Sequence, residues 1–288
     1  MSDYNIGIST DSACDMPKRL AEINDIGVIR FYVKTETGLF RDGDEISSQN
    51  VAEYYRKGGA ALVTDEAQVD EYAEFFRDML SRYSEIVHIA VSSGTSNSFD
   101  RATIALEQLG MLSDRVKVVD SETLSTGMAH LVLKAVELRD KGCSSHEIVS
   151  AVEEMRDHLN VSFISQSPKQ MFKSGRMSNA ANSFCSSLHV HPIFKLKSGR
   201  IVLGGIGVGD MRGAVKRYIR KQLRRTSGID THRLFITHVG LSFEDITRVK
   251  NEVAKKIRFE DVTVTDASAS ISGNCGEGTV GLLFLKKY

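Results

Sequence analysis

Residues 85–91 (EIVHIAV) limit the folds open to this chain more than any other stretch. They form a short, nearly continuous apolar run rich in β-branched side chains, which describes a strand covered on both faces. Strands of that kind belong to parallel sheets with helices packed on either side. The flanking residues agree. Val69, Tyr72, Phe76, Met79, Leu80 and Tyr83 recur at three- and four-residue intervals and predict an amphipathic helix. Asp65 and Gln68 are spaced as a capping box at its start. Residues 5–9, 27–33 and 116–119 read as further strands, and a helix after residue 98 runs through about 109. Residues 126–141 read as a helix stopped by Gly142, and Ser144 with Glu147 caps another through about 158. Strands alternating with helices predict an α/β domain with a mainly parallel sheet over residues 1–160.

After residue 160 the pattern changes. Residues 161–165, 189–195 and 200–203 read as strands, the last two joined by a hairpin-like turn at Ser198-Gly199. A basic helix (211–225), a strand (234–238), a helix (243–258) and two strands (261–265, 279–285) follow. This predicts a second α/β domain with a mixed sheet over residues 161–288. A chain of 288 residues is also long enough for two domains.

Charge and cysteine usage narrow the function classes. Lys and Arg total 37 against 37 for Asp and Glu, a balance that argues against gripping nucleic acid, which calls for a basic excess. Cys14, Cys143, Cys185 and Cys275 are far apart with no CxxC pair, so neither a zinc site nor a disulfide framework is expected. The first residues carry no apolar signal region, and no apolar run reaches the roughly 18 residues of a membrane span. The expectation is a cytoplasmic protein without metal or cofactor.

Among the motifs, residues 92–98 (SSGTSNS) stand out. They follow a buried strand and open a helix, where backbone N–H groups and the helix dipole favour an anion. Ser93, Ser96, Asn97 and Ser98 are therefore candidate ligand contacts, although a Ser-rich turn with an N-cap explains the same residues. There is no GxSxG elbow, and the eight histidines show no obvious partner, so no catalytic residue is assigned. Residues 204–209 (GGIGVG) lack the P-loop lysine and read as a flexible turn. Asp11, Asp42 and Asp44 suit turns and caps better than a cation loop. The stretch 173–176 (KSGR) and the helix bearing Arg212 form a local basic excess, able to meet an acidic partner or a phosphate.

Several motifs together resemble one family. Residues 9–17 (STDSACDMP) resemble the TDSTADLP opening of the DegV family of bacterial fatty-acid-binding proteins. Residues 40–46 (FRDGDEI) are similar to its YRDGVDI, and 92–102 to its SSxLSGTYxSA. Residues 120–127 resemble DSxxxSMG, 173–178 resemble KGGRIS, and 188–193 (LHVHPI) resemble LNIKPI. Thr64 matches the TSQPS element at its threonine, and 272–281 falls where the family has HTGPGALG. The resemblance implies a two-domain α/β protein holding a long-chain fatty acid in a tunnel between its domains. It further implies that Thr64 and Ser96 hold the carboxylate, and that a separate fatty acid kinase receives the acyl group to make an acyl phosphate. Arg176 falls on the arginine linked to that partner. Two departures stand out. Asn274 replaces a histidine, and the arginine expected near Gly209 is missing or displaced to Arg212. The alternative is a small-molecule enzyme or regulatory module holding another anion on the 92–98 turn.

Overall fold

Six consecutive buried residues make the first strand, β1 (Ile6–Asp11), and every neighbour it pairs with runs parallel to it. The computed structural model describes residues 5–166 and 189–288. β1 lies between β2 (Ile26–Ile29) and β6 (Glu85–Ala90), and β7 (Val116–Asp120) completes an all-parallel sheet in the order β2-β1-β6-β7. The helices of this unit are α1 (Lys18–Ile23), α3 (Val69–Leu80), α4 (Ser98–Ala105), α5 (Thr126–Asp140) and α6 (Ser145–Arg156). Tyr72, Phe76, Met79 and Leu80 of α3 pack with Ile29, Ile86 and Val116, so the predicted stripe faces the sheet. Ser144 and Glu147 form the predicted capping box of α6. The box at α3 is different: Glu71 takes the Gln68 N–H at 2.7 Å, whereas Asp65 pairs with Arg101.

The second sheet is mixed, in the order β10-β9-β8-β13-β11-β12. Its strands are β8 (Leu159–Ile164), β9 (Val190–Lys197), β10 (Arg200–Val208), β11 (Ile229–His238), β12 (Asp261–Asp266) and β13 (Val280–Lys286). Only β11 and β12 are described as a parallel pair; β13 runs antiparallel to both β8 and β11. Helices α7 (Met211–Gln222) and α8 (Phe243–Ala254) bury Val215, Tyr218, Ile219, Val249 and Val253 against it. The glycines of 204–208, expected in a turn, continue β10 as strand. A Cβ on Gly207 would meet Ala214 and Ile164 at 3.0 and 3.1 Å, so glycine lets this strand approach α7 closely.

Residues 33–64 hold a small sheet, β4-β3-β5 (Leu39–Arg41, Tyr32–Lys34, Val63–Asp65), and helix α2 (Ser48–Arg56). Val33, Ile46, Val51 and Leu62 from this segment pack with Ala269 of α9 (Ala269–Cys275). The chain accordingly divides into one unit of residues 1–32, 65–157 and 198–200 and another of 33–64, 158–197 and 201–288. This differs from a single boundary after residue 160. The strands of 33–64 are too short to announce which core they join. No helix among the described residues is long and apolar enough to cross a membrane.

Candidate functional site

The Ser-rich turn links β6 to α4, and several of its donors are taken by the chain's own carboxylates. Asp11, fully buried at the end of β1, accepts the Val91 N–H on Oδ2 at 2.7 Å, together with the Ser98 hydroxyl, while Tyr72 donates to Oδ1 at 2.7 Å. Burial, with the Asp11 charge beside it, holds the Tyr72 phenol well above its ordinary ionisation range. Glu66 Oε1 accepts the Ser96 hydroxyl at 2.6 Å and the Asn97 N–H at 3.1 Å. Asp120 accepts the Ser93 N–H at 3.2 Å and the Ser93 hydroxyl at 2.5 Å. The Ser92 hydroxyl donates to the Gly199 carbonyl at 2.7 Å. Every backbone N–H from 91 to 98 thus has an acceptor within the chain.

The places an anion could take at this turn are filled by the chain's own carboxyl groups, those of Asp11, Glu66 and Asp120. Ser93, Ser96, Asn97 and Ser98, expected as ligand contacts, lie together on this turn; Asp11 was expected only in a turn or cap, and Glu66 and Asp120 were not expected here. A signal was present for Glu66: residues 64–68 read TDEAQ where the family pattern is TSQPS. Ser98 is fully buried, its hydroxyl shared between Asp11 and Tyr72, so it braces the turn; Ser93 and Asn97 are exposed and Ser96 is half-buried. Arg101 of α4 lies 2.9 Å from Asp65 and 3.7 Å from Glu66, fixing both acidic side chains. Behind them His88, also fully buried, has partners the sequence did not reveal. Its Nδ1 lies 3.0 Å from the Ser9 hydroxyl, and its Nε2 lies 3.4 Å from Asp11 without an aligned hydrogen bond.

Thr64 and Asn274 meet in the other unit. The Asn274 amide donates to the Thr64 hydroxyl at 3.2 Å and to the Ser270 carbonyl at 2.7 Å. Asn274 is thereby a support for Thr64, a role that needs a donor and no charge. Asp42 anchors the same helix from outside it, accepting from the Ala269 N–H at 2.8 Å, the Ser270 N–H at 3.4 Å and the Ser270 hydroxyl at 2.6 Å. Tyr55 donates to the Gly273 carbonyl at 2.9 Å, and the Ser48 and Ser272 hydroxyls lie 2.8 Å apart. Asp42 therefore acts as a cap, as expected, but for a helix more than two hundred residues away.

Between α7 and α8 lies a cavity of about 230 Å³. Met211, Val215, Ile219, Leu241, Val249 and Val280 give it apolar walls. Arg212, Lys216 and Arg248 stand at it with Asp245 and Glu252; Arg212 pairs with Asp245 at 3.2 Å. The guanidinium beside Gly209 is that of Arg217, which donates to the Val208 carbonyl. Arg176, the other candidate partner contact, lies outside the described residues. No group of three His, Cys, Asp or Glu residues that could hold a metal occurs among the described residues.

Comparison with known proteins gives a consistent picture. The sequence profile described as "Uncharacterised protein, DegV family" matches residues 5–287. A DegV domain-containing protein of Caldanaerobacter subterraneus subsp. tengcongensis is 27% identical over 288 residues, 98% of this chain and 99% of that protein. Among solved structures, a fatty-acid-binding DegV family protein from Thermus thermophilus superposes with a TM-score of 0.89 at 24% identity, covering 98% of this chain and 100% of the other. The Streptococcus pneumoniae fatty acid kinase B3 protein, loaded with linoleic acid, gives a TM-score of 0.83 at 17% identity, over 98% and 100% of the two chains.

Proposed function

The chain belongs to the DegV family, and on that footing we propose that it binds a long-chain fatty acid and presents it to a separate kinase for acyl phosphate formation. The cavity of the second unit carries the reading, because its apolar walls of Met211, Val215, Ile219, Leu241, Val249 and Val280 suit an alkyl chain. Burying about 14 methylenes at roughly 0.8 kcal/mol each contributes on the order of 11 kcal/mol before the costs of association. The head group falls to Ser96 and Thr64, neutral hydroxyls that avoid the desolvation cost of a buried ion pair. Asn274 holds Thr64 in place. The fatty acids bound by the Thermus thermophilus and Streptococcus pneumoniae relatives support the ligand class, and the second of them supports the kinase partner. Arg176 and Arg212 are the contacts proposed for that partner.

Native mass spectrometry of freshly purified protein, before and after mild denaturation, tests the ligand. A released species of fatty-acid mass is the expected result. Ser96→Ala and Thr64→Ala should each weaken binding by about 1–3 kcal/mol, as when a buried polar partner is left unpaired. A clean unliganded mass together with unchanged affinity in both variants would overturn the reading.

A further inference from the structure

The Ser96 hydroxyl has one proton, and it points at Glu66 Oε1 at 2.6 Å. One of its lone pairs takes the Ser98 N–H at 3.1 Å. A serine hydroxyl offers one proton and two lone pairs, so what Ser96 has left for a ligand is an acceptor. An ionised carboxylate brought to this oxygen finds no donor there and faces a resident carboxylate whose Oε1 is already engaged. The charges around Glu66 make the mismatch worse. On α4, Arg101 is the one cation paired with it among the described residues, at 3.7 Å, and Asp65 shares that guanidinium at 2.9 Å. From α3 the Tyr72 hydroxyl faces the same region, and its phenol is held neutral in part by Glu66 itself. Asp11, behind Tyr72, adds a further buried negative charge. Two carboxyl groups on one hydroxyl cannot both stay ionised without a cation to spare; such pairs share a proton.

Resting on the fatty-acid reading above, we infer that Glu66 makes head-group binding proton-coupled: the ligand is taken as its neutral acid, donating to Ser96, with one proton drawn from solvent per molecule bound. The site then selects head groups that donate a hydrogen bond, and a fatty alcohol satisfies it as well as a fatty acid does.

Titration calorimetry with dodecanoate and with 1-dodecanol, each below its aggregation limit, tests this between pH 6 and 8 in two buffers of different ionisation heat. For the wild-type protein the expected result is uptake of about one proton per dodecanoate. Its affinity should fall about tenfold per pH unit, while dodecanol binds without pH dependence. Glu66→Gln, which keeps the side chain's shape, should reduce proton uptake to near zero and tighten dodecanoate binding at pH 8 at least tenfold. Dodecanoate binding to the wild-type protein with no proton uptake would overturn this inference and leave the fatty-acid reading standing. So would a Glu66→Gln variant with the wild-type pH profile. If neither ligand binds either protein at any pH, the lipid reading fails and this inference with it.

Discussion

Replacing Asp42 by alanine leaves three donors at the head of α9 without their acceptor: the Ala269 and Ser270 N–H groups and the Ser270 hydroxyl. All belong to buried residues, so water cannot substitute. Stranded buried donors cost about 1–3 kcal/mol, more when the lost acceptor was charged. Asp42→Ala should therefore lower unfolding stability by about 3 kcal/mol in urea titrations. Asp42→Asn, which keeps an acceptor oxygen and loses the charge, should lose about half as much. Equal losses in the two variants would mean that a neutral acceptor oxygen contributes nothing and that the charge carries the whole effect. The same logic separates Asn274 from the histidine that the family pattern led one to expect. An amide donating to both Thr64 and Ser270 does its work at every pH, whereas an imidazole would add a titration near neutrality.

Among the elements, the β9–β10 turn couples local conformation to a distant contact. Ser198 and Gly199 both adopt left-handed backbone angles, φ 46° and 70°, the pairing that suits a two-residue hairpin. A Cβ on Gly199 would come within 2.5 Å of the Ser92 hydroxyl, and the Gly199 carbonyl accepts from that hydroxyl. Gly199→Val should destabilise by about 2–3 kcal/mol through strain and the lost hydrogen bond, whereas Ser198→Gly should be neutral or mildly stabilising. Thermal unfolding of the two variants checks the contrast; similar losses in both would refute it. This hairpin was legible in the sequence, as were β6, α3 and the capping box of α6, because each is specified by residues a few positions apart. The glycine run was not. Its fitness as strand comes from Ala214 and Ile164, which local pattern does not reveal. The site divides along the same line. The turn at 92–98 announced affinity for an anion, but its occupants, Asp11, Glu66 and Asp120, come from three other segments.

For the whole molecule, the decisive feature is that residues 33–64 are counted with the later unit although residues on both sides of them belong to the earlier one. A fragment of residues 158–288 keeps the six strands and the α7–α8 core but loses Val33, Ile46, Val51 and Leu62, and with them the anchor at Asp42. Hydrogen exchange should show its sheet amides protected and those of α9 fast. Adding residues 33–64 through a flexible linker should restore α9 protection. Protection of α9 in the bare fragment would contradict the assignment. The arrangement also imposes a schedule on synthesis. With chain elongation at about 5–20 residues per second, Leu62 leaves the ribosome roughly 10–40 s before Ala269 exists to cover it. For that interval the nascent protein displays an apolar segment whose partner has not been made, and whatever shields it in the cell must hold on for that long.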